Sequence, residues 1–370
     1  EAEVTAAGIY VHIPFCLTRC GYCDFNAYAG LDELKPSYLE ALLTEADLTS
    51  AAWQGQEFVS VFLGGGTPTT VAPADLRALL VRLRDRFDLD EGAEITIEAN
   101  PDTVTEESLG ALLDAGYTRI SIGAQSFDTK VLAALERIHQ PASVRAAVAA
   151  ARRAGYRNLS LDLIYGANGE TLDSWRRTLG ETLALAPDHV SAYALTIEPA
   201  TSLGRKVVAG DTPAPDPDLQ ADMFMLACEV LGDAGYRHYE ISNWARPGFE
   251  CVHNLGYWER RPYVGLGAGA HSYRDDMRWW NVRPPETYME MLARGELPIG
   301  GSESLDPSDA YLEEVFLKLR ILEGVPSSWF EADRYERYVK SGLLTDDLGT
   351  LVPTERGMLL LNELVLGLTA

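Results

Sequence analysis

Three of the chain's five cysteines, Cys16, Cys20 and Cys23, fall within eight residues, in the segment YVHIPFCLTRCGYCDF from Tyr10 to Phe25. Thiolates are soft ligands that suit iron–sulfur clusters and zinc. A structural zinc site needs four closed ligands, commonly two C-x2-C pairs or one pair with two histidines. Only three cysteines cluster here, since His12 stands on the preceding apolar run and Cys228 and Cys251 are remote in sequence. The spacing C-x3-C-x2-C therefore favours a cubane gripped by three sulfurs, with one iron left free of protein ligands. Zinc and unliganded core cysteines are the competing readings.

Such a loop has to be held by something regular. The β-branched and aromatic content of the preceding segment predicts a strand over about residues 8 to 15. Further strands are expected near 57 to 63, 94 to 98, 119 to 123, 158 to 165 and 188 to 195, with amphipathic helices between them. Alternation of this kind implies a parallel sheet with right-handed crossovers, here a partial (β/α)6 barrel in an α/β chain. Functional residues should then gather at the carboxyl ends of the strands.

Candidates stand there. Gly64-Gly65-Gly66-Thr67-Pro68 follows the second strand, and its missing side chains would let backbone amides approach a small anionic or zwitterionic group. A tight turn is the plainer explanation. Glu98 ends the third strand as either a rim charge or an acceptor inside the mouth, and Gln125 ends the fourth. Arg137 follows with a fork suited to a carboxylate. Asp162 sits inside an apolar run, where an unpaired carboxylate is costly, so Arg137 or a ligand hydroxyl should pair with it. A structural ion pair is the alternative.

An iron free of protein ligands can chelate the amino and carboxylate groups of S-adenosylmethionine (SAM), where one electron would cleave a C–S bond. Here the residues resemble the radical SAM superfamily. The flanks HIPFC and YCDF narrow the resemblance to the branch that holds oxygen-independent coproporphyrinogen III oxidase and the HemW-type haem chaperones, and it covers about residues 8 to 280. It implies a 4Fe-4S cluster on Cys16, Cys20 and Cys23. It also implies SAM contacts from Tyr10, Tyr22, Gly65, Gly66, Thr67, Glu98, Gln125, Arg137, Asp162 and Ala194. The segment His253-Asn254-Leu255-Gly256-Tyr257-Trp258 matches the HN-x-x-YW pattern of the chaperones and makes His253 a candidate haem ligand, with Cys251 as an alternative. The opposing reading is a histidine satisfied by its surroundings, with Tyr257 and Trp258 packing the barrel floor.

Composition bounds the partners. With 31 Lys and Arg against 55 Asp and Glu, a formal charge of −24 disfavours phosphate backbones, so no nucleic acid partner is expected. No apolar run is long enough to span a membrane, although peripheral membrane contact stays open, and nothing marks the amino terminus for export, so the expected compartment is the cytoplasm. Gly265, Gly267 and Gly269 mimic a dinucleotide fingerprint but lack the βαβ unit it requires. Cys228 reads as a core residue of a helix. The expected division is a radical SAM core over residues 1–245 and a second region over 246–370, which carries the HN-x-x-YW segment and then a smaller C-terminal α+β module of winged-helix-like type.

Two functions follow from the resemblance, and neither assigns a catalytic residue. One is a haem chaperone that passes haem to an acceptor protein, with a reductant for its cluster. The other is an enzyme, either coproporphyrinogen III oxidase or a related radical SAM enzyme acting on a tetrapyrrole. The oxidase pattern C-x3-C-x2-C-x-C is broken here, because Phe25 stands where its fourth cysteine would be.

Overall fold

A twelve-stranded sheet organises most of the chain in the computed structural model, which describes residues 5–369. Its spine is β1 (Ala7–Ile13), β2 (Glu57–Gly65), β3 (Asp88–Ala99), β4 (Arg119–Gln125), β5 (Asn158–Tyr165) and β6 (His189–Ala194). Each pairs in parallel with the next, and helices make the crossovers that parallel strands require. β1 stops two residues short of the expected end because Pro14 supplies no donor. Phe15 and Cys16 then pair with Tyr28 and Ala29. β3 starts earlier than expected, at Asp88, because Glu57 and Phe58 of β2 extend the ladder to Asp88 and Leu89.

The helices follow their sequence signals. Leu76, Leu79, Leu80 and Leu83 form the buried stripe of the helix Pro73–Arg86. The helix Glu106–Ala115 opens on a capping box between Thr105 and Ser108 and closes at Gly116, whose φ of 109° suits glycine. Cys228 is buried in the helix Pro217–Asp233.

Six further strands widen the sheet. β7 (Arg237–Glu240) and β8 (Asn243–Ala245) add antiparallel beside β6. On the other edge come β9 (Tyr263–Leu266), β10 (His271–Arg274), β11 (Met277–Asn281) and β12 (Ile299–Ser304). β9 runs parallel to β1, so the parallel portion has seven strands rather than six. The expected division after residue 245 is therefore not seen: strands on both sides of it share one sheet, and Val264, Leu266 and Tyr288 belong to the same apolar core as Ile9, Val61 and Leu161. The change of core comes after β12. There Val315, Leu319, Leu344, Leu351 and Leu364 form a separate cluster, made by the helices Pro307–Lys318 and Leu361–Thr369 with a three-stranded antiparallel sheet.

One buried carboxylate ties the later strands to the barrel. Glu45, 2% exposed on the helix Lys35–Ser50, accepts from Gly267 N at 2.7 Å, from Tyr288 Oη at 2.6 Å and from Asn281 Nδ2 at 2.6 Å. Burial pushes its carboxyl up to about 7, while these three donors pull it down. Glu45→Ala strands all three donors away from water, and a loss of about 3 kcal/mol is expected in denaturant unfolding. Since the folded value lies above the ordinary 4.5, the folded state holds the proton longer. Its stabilising contribution is full below about pH 4.5 and is lost as pH rises through about 7. Glu45→Gln should flatten that part of the pH profile, read from unfolding midpoints at acid and at mildly alkaline pH.

Candidate metal and cofactor site

The cysteine loop sits over the carboxyl ends of the parallel strands. Cys16 ends the short strand after Pro14, and Cys23 N donates to Cys20 O at 3.2 Å. All three cysteines are free and partly exposed, and they line one cavity of about 370 Å³. Thr67 Oγ1 donates to Cys16 Sγ at 3.6 Å and Arg137 Nη1 to Cys20 Sγ at 3.2 Å. Burial pushes the Cys16 and Cys23 thiols up, so thiolates there call for a cation beyond Arg137. Partly open soft donors, an arginine on one sulfur and adjoining space fit a cluster held by three cysteines. His12, the suggested fourth ligand, instead engages Tyr10 at 3.0 Å and Asn26 O at 2.9 Å.

The strand ends supply the rest of the wall. Gly65, Gly66 and Thr67 line the cavity, but their amides do not point at a ligand as expected. Gly66 N donates to Ile13 O at 2.8 Å, Thr67 N to Phe15 O at 2.8 Å and Gly65 N to Glu98 Oε2 at 3.3 Å. A Cβ on Gly66 would stand 2.7 Å from Phe15 O, so the glycine is needed for close backbone packing. Glu98 lies inside the mouth rather than on its rim. Burial, then the Asp162 charge, pushes its carboxyl up to about 8, so at neutral pH it is mostly a neutral acid.

Gln125 sits at a β-bulge with φ 62°, a left-handed conformation uncommon outside glycine, which turns the end of β4 at the cavity wall. Arg137 also donates to Gly123 O at 3.0 Å. It does not pair with Asp162, which removes one of the two partners expected for that carboxylate. Asp162 accepts from Ser121 Oγ at 2.9 Å and Ser160 Oγ at 3.3 Å. Tyr22 and Ala194 complete the set that shares the cavity.

Two expected residues stand apart. Tyr10 is outside the lining, with its ring stacked on Phe62, which does face the cavity. His253 is 3% exposed, and both ring nitrogens are taken: Nδ1 is 2.9 Å from Ser60 Oγ and Nε2 is 3.0 Å from Tyr257 Oη. Burial, then the Arg119 charge, pushes it down to about 3. In this structure His253 therefore packs behind the cavity wall with both ring nitrogens engaged. Cys251, its alternative, is fully buried with Sγ against Glu94.

Sequence reasoning missed Arg119 and Ser121. Both line the cavity floor, and Arg119 is 2% exposed with its Nε unpartnered and 3.9 Å from Glu94. A signal was present. In Arg119–Gln125 the non-aliphatic residues Arg119, Ser121, Gly123 and Gln125 alternate with Ile120, Ile122 and Ala124, the period that sends one set to each face of a strand.

A parallel barrel with three cysteines gathered over its mouth defines a radical SAM protein, and the radical SAM superfamily profile matches residues 10–181. Coproporphyrinogen III oxidase (HemN) from Escherichia coli, described as a radical SAM enzyme, superposes with a TM-score of 0.85 at 25% identity, over 99% of this chain and 90% of its own. The haem chaperone HemW of Mycobacterium tuberculosis H37Rv is 43% identical over 97% of this chain and 93% of its own length. HemW of Bacillus subtilis is 34% identical over 96% and 97%. The chain belongs to the HemW family of the radical SAM superfamily.

Replacing Cys16, Cys20 or Cys23 singly by Ala should abolish the cluster. Iron and sulfide assays on anaerobically reconstituted protein are expected to fall from about four of each per chain to near zero in each variant, while far-UV circular dichroism is retained.

Proposed function

We propose that this chain is a haem chaperone that binds haem and passes it to an acceptor protein. The observation that carries this reading is identity of 43% along nearly the whole length of a protein named for that function. Phe25 supports it. Where the oxidase pattern has a fourth cysteine, this chain places a phenyl ring 63% exposed on the lip of the cavity.

In this reading Cys16, Cys20 and Cys23 hold a 4Fe-4S cluster, which supplies one-electron chemistry at an iron free of protein ligands. Arg137 keeps a positive charge against the Cys20 sulfur, and Thr67 donates a neutral hydroxyl hydrogen bond to Cys16. SAM is held by groups around the same cavity: Tyr22, Gly65, Gly66, Thr67, Gln125, Arg137, Asp162 and Ala194, with Glu98 offering a neutral carboxyl as donor. Arg119 and the serines around Asp162 balance charge beneath them. A reductant serves the cluster, and transfer takes place in the cytoplasm, with the acceptor approached peripherally where it is a membrane protein. No helix among the described residues is long and apolar enough to cross a membrane. The helices and small sheet beyond β12 are read as a winged-helix-like module that covers the barrel or meets the acceptor.

Haem titrated into anaerobically reconstituted protein is expected to saturate at about one per chain, with a Soret band, and to move to an apo-acceptor haemoprotein on mixing. Conversion of coproporphyrinogen III to protoporphyrinogen by the same preparation would overturn the chaperone reading in favour of the oxidase.

A further inference from the structure

The floor of the cavity holds a cation that its own ion pair only partly offsets. Arg119 is 2% exposed, its Nε has no hydrogen-bond partner among the described residues, and its one ion pair among them, with Glu94, is long at 3.9 Å. The other oxygen of Glu94 is shared between Cys251 Sγ and His253 N, each at 3.4 Å. A buried guanidinium held so loosely is costly unless its charge serves something else.

The strand register shows what it serves. Arg119, Ser121 and Gly123 share the cavity face of β4. Ser121 stands opposite Glu98 on β3 and Ser160 on β5, and Gly123 stands opposite Asp162. Asp162 thus starts above the arginine, yet its carboxylate turns down toward it. Ser121 Oγ lies 2.9 Å from both of its oxygens, and Ser160 Oγ donates to Oδ1 at 3.3 Å. The carboxylate is thereby held at the next rung of the cavity face above Arg119.

The hydrogen bonds behind these serines run toward the same carboxylate. Ser160 Oγ also meets His189 Nδ1 at 2.8 Å, His189 Nε2 meets Tyr239 Oη at 2.7 Å, and Cys251 N donates to Tyr239 Oη at 3.1 Å. Burial, then the Arg119 charge, keeps His189 neutral, so one ring nitrogen donates and the other accepts. With the Ser160 hydroxyl given to Asp162, Nδ1 must donate to Ser160 and Nε2 must accept from Tyr239. Every donor in the row points toward Asp162, which suits a carboxylate that accepts rather than an acid that donates.

The charged and titratable groups that act on Asp162 or on its serines are Glu98 on β3, Arg119 on β4, Tyr193 and His189 on β6 and Tyr239 on β7. Of these Arg119 is the cation. Burial pushes the Asp162 carboxyl up, while Ser191, Ser121, Arg119 and Ser160 pull it down.

We infer that Arg119 is a positioning residue for SAM: from the rung below, it fixes Asp162 as the acceptor for hydroxyls of that ligand. It acts through Asp162 and not by touching the ligand. This rests on the placing of SAM under the proposed function, and it gives that site the cation its carboxylate needs.

The test is equilibrium binding of SAM to the full chain with its cluster reconstituted anaerobically, iron content and far-UV circular dichroism being matched first. Arg119→Met is combined with Glu94→Gln, so that Glu94 is not left as an unpaired buried charge. This double variant should bind SAM about tenfold more weakly near neutral pH, the low end of what losing a neighbouring opposite charge does to a carboxylate. The gap from wild type should close as pH is raised, because alkali removes the proton that Asp162 has gained. Glu98 titrates in both proteins, so the ratio of the two affinities is the quantity to follow. Arg119→Lys keeps the charge and should bind SAM as wild type does. In an Asp162→Asn background, itself weaker than wild type, the double change should add nothing. Wild-type affinity in the double variant, a loss of equal size at every pH, full additivity with Asp162→Asn, or an equal loss in Arg119→Lys would each overturn the assignment and leave SAM where it was placed. Undiminished binding in Asp162→Asn alone would instead remove Asp162 from the SAM site, and the role of Arg119 with it.

Discussion

The cysteine loop has almost no regular structure of its own, so its shape is imposed by what it is pinned to. Gly66 N and Thr67 N hold its start through the carbonyls of Ile13 and Phe15, and Tyr28 N closes its end on Pro14 O. Leu203 N holds its middle through Gly21 O, while Asn26 anchors it to Ala268 and Arg283. These contacts come from β2, from the helix Ser202–Ala209 and from the far edge of the sheet. Backbone atoms fix the relative positions of three sulfurs better than long side chains would, since little rotamer freedom has to be lost. The site therefore depends on the continuous sheet, and the sheet depends on junctions such as the Glu45 knot that draw its late strands onto the helix Lys35–Ser50.

Beneath the loop, the second constraint is charge. The strands turn apolar residues outward onto helices, and the interior that remains is polar: Glu94, Glu98 and Asp162 against Arg119 and Arg137. Unpaired charges in such a space are costly. Asp162 is met by hydroxyls rather than by an arginine, and Glu98 relieves the excess by holding a proton. Arg137 is thereby left for the cysteine sulfur. The wall has the mixed donor and acceptor character that a zwitterionic ligand requires.

Much of this was legible in the sequence. Six strands could be placed because apolar runs end on glycine, proline or polar residues, and the cysteine spacing alone pointed to a cluster with an open corner. What was hidden was mostly a matter of which side a residue faces. Reading only strand ends missed Arg119 and Ser121, which enter the cavity from lower on β4. β9 was concealed because YVGL is short and runs straight into glycines, yet Gly267 is needed where His12 O crosses at close range. The boundary after residue 245 failed for the same reason, since a strand that joins the opposite edge of a sheet leaves no mark at the junction.

His253 shows how much geometry a motif leaves unsaid. HN-x-x-YW places an imidazole and a phenol four residues apart on the helix Val252–Trp258, a spacing that brings two side chains onto one face. That proximity makes Tyr257 a hydrogen-bond partner for His253, and Ser60 takes the other nitrogen. A ring satisfied on both sides and cut off from solvent gains nothing by turning toward a metal, because it would leave a buried hydroxyl unpaired at a cost of about 1–3 kcal/mol.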